Sequence, residues 1–234
     1  MYKNFKAFTL AEVLITLGII GVIAALTIPS IIQANRNREV SAKLKQVYTI
    51  MNQAIMLSEN DNGPKEDWPY CSGGTSGCTE LLFSKYVLPY IKYTKYELFQ
   101  SFGGTNIVIY FANGTILVGK PVSILNGIDF FFITSGKYFD IENFSSKNDD
   151  GEYTTSRKGS GATLFSFALS PNYPGNHYKK GFEPYQKGDD IINEKELKYA
   201  SNYGCYKGEV PAFCTALIRY NGWNIPKDYP YKVK

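Results

Sequence analysis

An α+β fold, with one long N-terminal helix laid across an antiparallel β-sheet, follows from three observations on the sequence. An apolar run over residues 8–32 passes directly into an amphipathic helical pattern that ends near Ser58. Short strand-like segments come after it, among them a hairpin signal at Asn113-Gly114. The helical pattern precedes every strand, which is the order of a helix packed on a sheet face and not of alternating parallel units.

The apolar run, FTLAEVLITLGIIGVIAALTIP followed by Ser30, Ile31 and Ile32, contains no Lys or Arg and one formal charge, Glu12. About 25 residues are enough to cross a hydrocarbon core of ~30 Å as a helix, so residues 8–32 read as a transmembrane or filament-core helix. A carboxylate inside such a run costs roughly 2.5–3.5 kcal/mol at a bilayer centre and less near the interface. Residues 1–7 form a short leader carrying Lys3 and Lys6, and a cut between Ala7 and Phe8 creates an ammonium one helical turn from Glu12. That ammonium is a candidate counter-ion. A secretory signal fits less well, because its apolar core spans only ~7–15 residues, and a plain anchor gives no reason for Glu12.

Phe8-Thr9-Leu10-Ala11-Glu12, the apolar run and Pro29 together resemble the cleavage and methylation segment of type IV pilins and type II secretion pseudopilins. The resemblance implies a pilin-like fold and removal of residues 1–7 by a prepilin peptidase, with Ala7 standing where the family mostly has Gly. It implies N-methylation of Phe8, and pairing of Glu12 with the Phe8 ammonium of a neighbouring subunit. The partners implied are other pilin or pseudopilin subunits, in a homo- or hetero-filament. The location implied is the bacterial inner membrane, crossed once, with the C-terminal domain periplasmic or extracellular.

Beyond Pro29 the pattern becomes amphipathic over residues 33–58. Val40, Leu44, Val47, Met51 and Ala54 recur at spacings of four and three, widened by Tyr48 and Ile55, while Arg36, Arg38, Lys43, Lys45 and Gln46 occupy other faces. The stripe is expected to dock on the chain's own sheet. Pro29 has no backbone donor, and Gly18 and Gly21 weaken the turns before it, so a kink or local unwinding is expected between Gly21 and Pro29. Extension of this segment when subunits pack and a passive bend are both open. Glu12, Gly21 and Pro29 are therefore the candidate assembly residues.

Gly63-Pro64 stops the helix, and residues 59–234 are expected to form the globular domain. A short helix is expected around residues 79–88, with Thr79 as its N-cap and Pro89 as its end. Strands are expected at residues 106–112 and 115–118, joined by a two-residue type I′ turn at Asn113-Gly114, and at 128–134, 138–141 and 163–169. Residues 170–203 read as loops with one short helix near 193–200. The tail over residues 222–230 resembles one found in large pilin-like proteins.

Hydrophobic residues at 44% and aromatics at 15% support a sizeable core. The net charge is +4, falling to +2 once Lys3 and Lys6 leave with the leader, which is too little to imply nucleic acid. Four cysteines in an exported domain read as two disulfides. Three connectivities are possible; Cys71 with Cys78 and Cys205 with Cys214 are favoured because each pair closes a short loop containing Gly. Structural zinc fits poorly, since six and eight residues separate the pairs where such sites have two to four.

No catalytic set emerges and no enzyme is indicated. His177 is the single histidine and reads as an exposed loop residue. No cofactor is implied. Calcium has candidate ligands in Asp149 and Asp150 of Asn148-Asp149-Asp150-Gly151-Glu152, but the segment does not fit an EF-hand loop and reads better as a solvated turn. Aromatic and basic residues interleave at Lys92-Tyr93-Thr94-Lys95-Tyr96 and Tyr178-Lys179-Lys180, a mixture able to stack on bases or sugars. The leading expectation is a structural subunit of a type IV pilus or type II secretion pseudopilus. The alternative is a minor pilin that binds DNA, glycan or a secreted substrate.

Overall fold

The computed structural model describes residues 9–71, 76–101, 104–122, 127–141, 144, 158–186, 193–206, 208 and 210–234. It begins with a single helix, α1 (Leu10–Asn62), 53 residues long and so about 80 Å from end to end at 1.5 Å per residue. The helix is unbroken through Gly18, Gly21 and Pro29. The local unwinding expected between Gly21 and Pro29 is absent: flanking residues keep helical geometry, and Pro29 removes only one backbone bond from the ladder. Gly63, at φ 83°, closes the helix by donating its N–H to Glu59 O at 3.0 Å.

The stripe predicted from periodicity is the buried face. Val40, Leu44, Val47, Met51, Ala54 and Ile55 are all buried and share one core with Ile107, Ile109, Leu117, Phe130, Phe132, Phe165 and Phe167 of the sheet. A second helix, α2 (Ser76–Tyr86), caps the distal end of this core. It begins three residues earlier than expected, so Thr79 is not its N-cap. The Thr79 hydroxyl instead donates to Thr105 O at 2.9 Å, fastening the helix to the sheet. Phe83 of α2 rests where Gly119 leaves room: a Cβ built on Gly119 would lie 2.4 Å from the Phe83 ring.

The sheet is an antiparallel meander of β1 (Lys95–Ser101), β2 (Gly104–Tyr110), β3 (Ile116–Val122), β4 (Gly127–Ile133), β5 (Leu164–Leu169) and β6 (Glu183–Pro184), in that spatial order. The hairpin between β2 and β3 has three loop residues, not two. Phe111 still pairs with Thr115, Gly114 N–H donates to Phe111 O at 3.0 Å, and only Gly114 has positive φ, at 78°. This is the turn-plus-glycine arrangement in which Asn113 need not adopt the left-handed conformation. Asn113 Oδ1 instead accepts from Thr115 N–H at 3.1 Å and from its hydroxyl at 2.7 Å.

Residues 138–141 are not a strand. A 3₁₀ turn at Gly136–Tyr138 carries them over the outer sheet face, where Tyr138 and Phe139 pack on a second cluster of Phe99, Val108, Ile116, Val118, Phe131, Ile133 and Leu164. The sheet is thus buried on both faces, which is why every residue of β5 is buried even though its sequence alternates.

Two short helices follow among the described residues of the C-terminal half: α3 (Glu194–Tyr199), capped by Asn193, and α4 (Cys214–Tyr220). They pack with Leu197, Phe213 and Leu217 into a third cluster. Cys71 is joined to Cys78 and Cys205 to Cys214, with Cα separations of 5.7 and 4.6 Å. Each bridge contributes roughly 2–3 kcal/mol by restricting the unfolded chain.

Candidate assembly helix and its junction with the domain

The feature that sets this chain apart from an ordinary domain is the first half of α1. Thirteen large apolar side chains between Leu10 and Ile32 are exposed, from Leu10 at 77% to Val13 at 42%. Mean hydropathy reaches 2.3 over the most apolar 18 residues, none of them buried against the domain. Covering such a surface is favourable by on the order of 10–20 kcal/mol, taking roughly 1.5 kcal/mol or less for each half-exposed side chain. A surface of that size belongs in lipid or against other chains. Among the described residues it is the one helix long and apolar enough to span a membrane.

Glu12 is not idle at the head of this helix. Thr9 is the N-cap, and Glu12 is the third helical residue. The Glu12 carboxylate accepts from the Thr9 N–H and the Thr9 hydroxyl, both at 2.8 Å, while Glu12 N–H donates back to Thr9 Oγ1 at 3.3 Å. This reciprocal capping box satisfies donors that a helix start otherwise leaves open. Its sequence signature, Thr-x-x-Glu, is present at residues 9–12 and is overlooked when Glu12 is weighed only as a buried acid. Ala7 and Phe8 lie outside the described residues, as do Asp149 and Asp150. Gly21 and Pro29 both lie within the exposed stretch of α1, and no atom stands within 4 Å of a Cβ added at Gly21.

Where α1 leaves its exposed stretch, the end of the chain meets it. Gln33 Nε2 donates to Asn37 Oδ1 at 2.9 Å and approaches Val233 O at 3.5 Å. Lys43 Nζ donates to Thr134 O at 3.1 Å and pairs with Glu39 at 2.6 Å, and Thr134 Oγ1 donates to Lys234 O at 2.8 Å. Lys43 beside it holds the Glu39 carboxyl below the usual carboxylate range, with Lys137 and Arg36 adding to the effect.

Further along, a buried ion pair ties the helix to the C-terminal half. Glu183 on β6 is only 2% exposed and pairs with Arg219 on α4. Tyr48 of α1 donates its hydroxyl to Glu183 at 3.1 Å, and the Arg219 guanidinium lies 4.7 Å from the centre of the Tyr48 ring. Trp223, held at φ 62°, packs obliquely against this group with its ring 5.2 Å from that of Tyr48. No local sequence pattern connects residues 48, 183, 219 and 223.

The two aromatic and basic stretches diverge. Lys95 and Tyr96 open the edge strand β1, with Lys95 4.5 Å over the Tyr110 ring and bonded to Glu97 at 2.6 Å. Tyr110 donates its hydroxyl to Glu97 at 3.0 Å, and its phenol is pushed up to about 12 by burial and by that carboxylate. An open groove of ≈ 390 Å³ runs beside them, lined by Thr94, Lys95, Tyr110, Phe111 and Phe139 among others. Tyr178, by contrast, is buried and bonded to Gln186, so it offers no stacking face. His177 is also buried, not exposed: its Nε2–H donates to Pro184 O at 3.0 Å, which makes it a packed structural residue. Among the described residues no three His, Cys, Asp or Glu side chains converge as a metal site would require.

A capped, exposed apolar helix running into an α+β domain is the architecture of a type IV pilin- or pseudopilin-like subunit, and residues 2–28 match the model of the prokaryotic N-terminal methylation motif. Residues 30–233 match a second model, described as Family of unknown function (DUF6613), and the chain belongs to that family. The two matches adjoin at Pro29, where the apolar stretch nears its end. No curated protein and no solved structure matches the chain. The methylation motif points to a membrane-anchored structural subunit with a single span, and implies assembly with other pilin subunits after processing by a prepilin peptidase.

Proposed function

We propose that this chain is a subunit of a type IV pilus or type II secretion pseudopilus. It is inserted in the bacterial inner membrane through residues 8–32 with its domain on the periplasmic or extracellular side. A prepilin peptidase removes residues 1–7 by cutting after Ala7, Phe8 is N-methylated, and the helix then packs against those of neighbouring subunits. Residues 33–58 carry the helix out of the membrane as the spine of the domain formed with residues 59–234.

The single observation behind this reading is the row of exposed apolar residues on a helix whose other half buries one face in a core. In a filament those residues exchange lipid for other subunits, which keeps them out of water throughout. Glu12 aligns the incoming subunit by charge pairing with the amine freed at Phe8. Before assembly the capping box with Thr9 gives the carboxylate partners at low energetic cost. Gly21 and Pro29 are the positions at which the helix yields when subunits pack.

Glu12→Ala tests the reading. The variant is expected to insert and remain in the membrane fraction while filament assembly is lost; filaments at normal abundance would remove Glu12 from the mechanism. A second reading, a minor pilin that binds DNA, glycan or a secreted substrate, is favoured by the groove beside Tyr110 and Lys95, where an aromatic edge meets a cation and a carboxylate. Its test is glycan-array binding or salt-sensitive DNA retention by a soluble fragment. That fragment has to start before Val40, because α1 supplies one whole layer of the core.

A further inference from the structure

The basic side chains at the foot of the domain come from three separate stretches of sequence, and the fold gathers them at one level. Arg36 and Arg38 lie four and six residues past Ile32 on α1, about 6 and 9 Å beyond the apolar stretch at 1.5 Å per residue. Lys232 and Lys234 flank Val233, whose carbonyl meets Gln33 in the turn between Gln33 and Asn37. That contact sets them level with the first two turns after Ile32. Lys137 belongs to the 3₁₀ turn next to Thr134, and Thr134 is fastened both to Lys43 and to Lys234.

Arg36, Arg38, Lys137, Lys232 and Lys234 are all exposed. Among the described residues, the carboxylates near these cations are Glu39, already engaged by Lys43, and Asp140, two residues past the 3₁₀ turn. Cations remain in excess. The polar layer on each side of a bilayer is about 5–7 Å thick, and charge is felt about 8 Å further at physiological ionic strength. The whole basic face falls inside that reach if residues 10–32 span the membrane.

We propose that this face, formed by Arg36, Arg38, Lys137, Lys232 and Lys234, docks on anionic lipid headgroups and holds the domain down against the membrane until the subunit is extracted. The proposal rests on the membrane-spanning reading of α1. Lipid is the occupant that the geometry selects, because the face is fixed within the headgroup layer by the helix that crosses it, whereas an acidic protein has to enter that layer to reach it. The domain is therefore oriented by two contacts, an apolar one along the helix and an electrostatic one at its foot.

The test uses the full chain in phosphatidylcholine vesicles with and without phosphatidylglycerol, probed with a membrane-impermeant amine reagent and read by mass spectrometry. At low salt, labelling of Lys137, Lys232 and Lys234 is expected to fall at least about threefold when phosphatidylglycerol is present and to recover at high salt. Lys92 is the internal control. It lies two residues from Tyr90, whose hydroxyl bonds Asn62 near the far end of α1, about 45 Å beyond Ile32. Equal labelling in both vesicles, or protection that does not depend on phosphatidylglycerol and so reports self-association, would overturn the lipid contact while leaving the span intact. Failure of the chain to float with either vesicle would instead overturn the spanning reading, and this proposal with it. Lys137→Gln/Lys232→Gln/Lys234→Gln, all surface changes, is expected to abolish the difference in protection of the two helix arginines when an arginine-selective reagent is used; protection that persists also counts against the lipid contact.

Discussion

Arg219→Met isolates the buried ion pair that joins α1 to the C-terminal half. In the folded chain Glu183 is 2% exposed and has two partners, the Arg219 guanidinium and the Tyr48 hydroxyl. Removing the arginine leaves a buried carboxylate with one neutral donor. Breaking a fully buried pair costs roughly 3–5 kcal/mol; the Arg219 side chain is 33% exposed, so water reaches the site and the expected loss is about 2–3 kcal/mol. With a urea dependence of about 2 kcal/mol per molar, the unfolding midpoint of a soluble fragment starting at residue 33 falls by about 1–1.5 M. Glu183→Gln/Arg219→Met, which removes both charges, is expected to recover most of that loss. The single variant has a sign of its own in pH. An unpaired buried acid has its folded pKa raised, the folded state then holds the proton more tightly than the unfolded chain does, and the defect shrinks as pH is lowered. A single variant within about 0.5 kcal/mol of wild type, or a double variant no better than the single, would refute the view that this pair is a coupled, desolvated unit.

Other outcomes follow from packing and titration. Gly119→Ala forces a Cβ to 2.4 Å from the Phe83 ring and is expected to lower stability by about 1–3 kcal/mol, with Phe83→Leu in the same chain restoring part of it in urea unfolding. The Tyr110 phenol, pushed up to about 12 by burial and by Glu97, keeps its proton in the folded state after an unfolded tyrosine near 10 has lost its own. Its contribution to stability is therefore complete below pH 10 and is lost as pH rises toward 12, and phenolate absorbance of Glu97→Gln is expected to show the titration moving downward.

Much of this fold was legible because its largest element obeys one period. Val40, Leu44, Val47 and Met51 repeat at helical spacing, and the face they mark is the face that the structure buries. The β2–β3 hairpin was legible in place but not in type: Asn-Gly suits two kinds of turn, and the pairing of Phe111 with Thr115 selects the longer one. β1 escaped notice because an edge strand carries charges such as Lys95 and Glu97, which drew attention to ligands instead of pairing. α4 gave no signal, since Cys214, Thr215, Ala216, Leu217 and Ile218 are all buried and no polar face breaks the run. At the candidate site, Glu12 and Pro29 were conspicuous in the sequence, while the capping role of Thr9 was present but unread. The contacts of Gln33 with Val233 and of Tyr48 with Glu183 span 200 and 135 residues. Pairings that distant arise only from the finished fold.

The central claim is that the apolar helix becomes an assembly surface once its leader is removed. Mass spectrometry of filaments or membranes recovered from the native cell tests it most directly. The predicted result is an amino-terminal peptide that starts at N-methylated Phe8 and retains Glu12. A chain that still begins at Met1, or one cut downstream of Glu12, would contradict it.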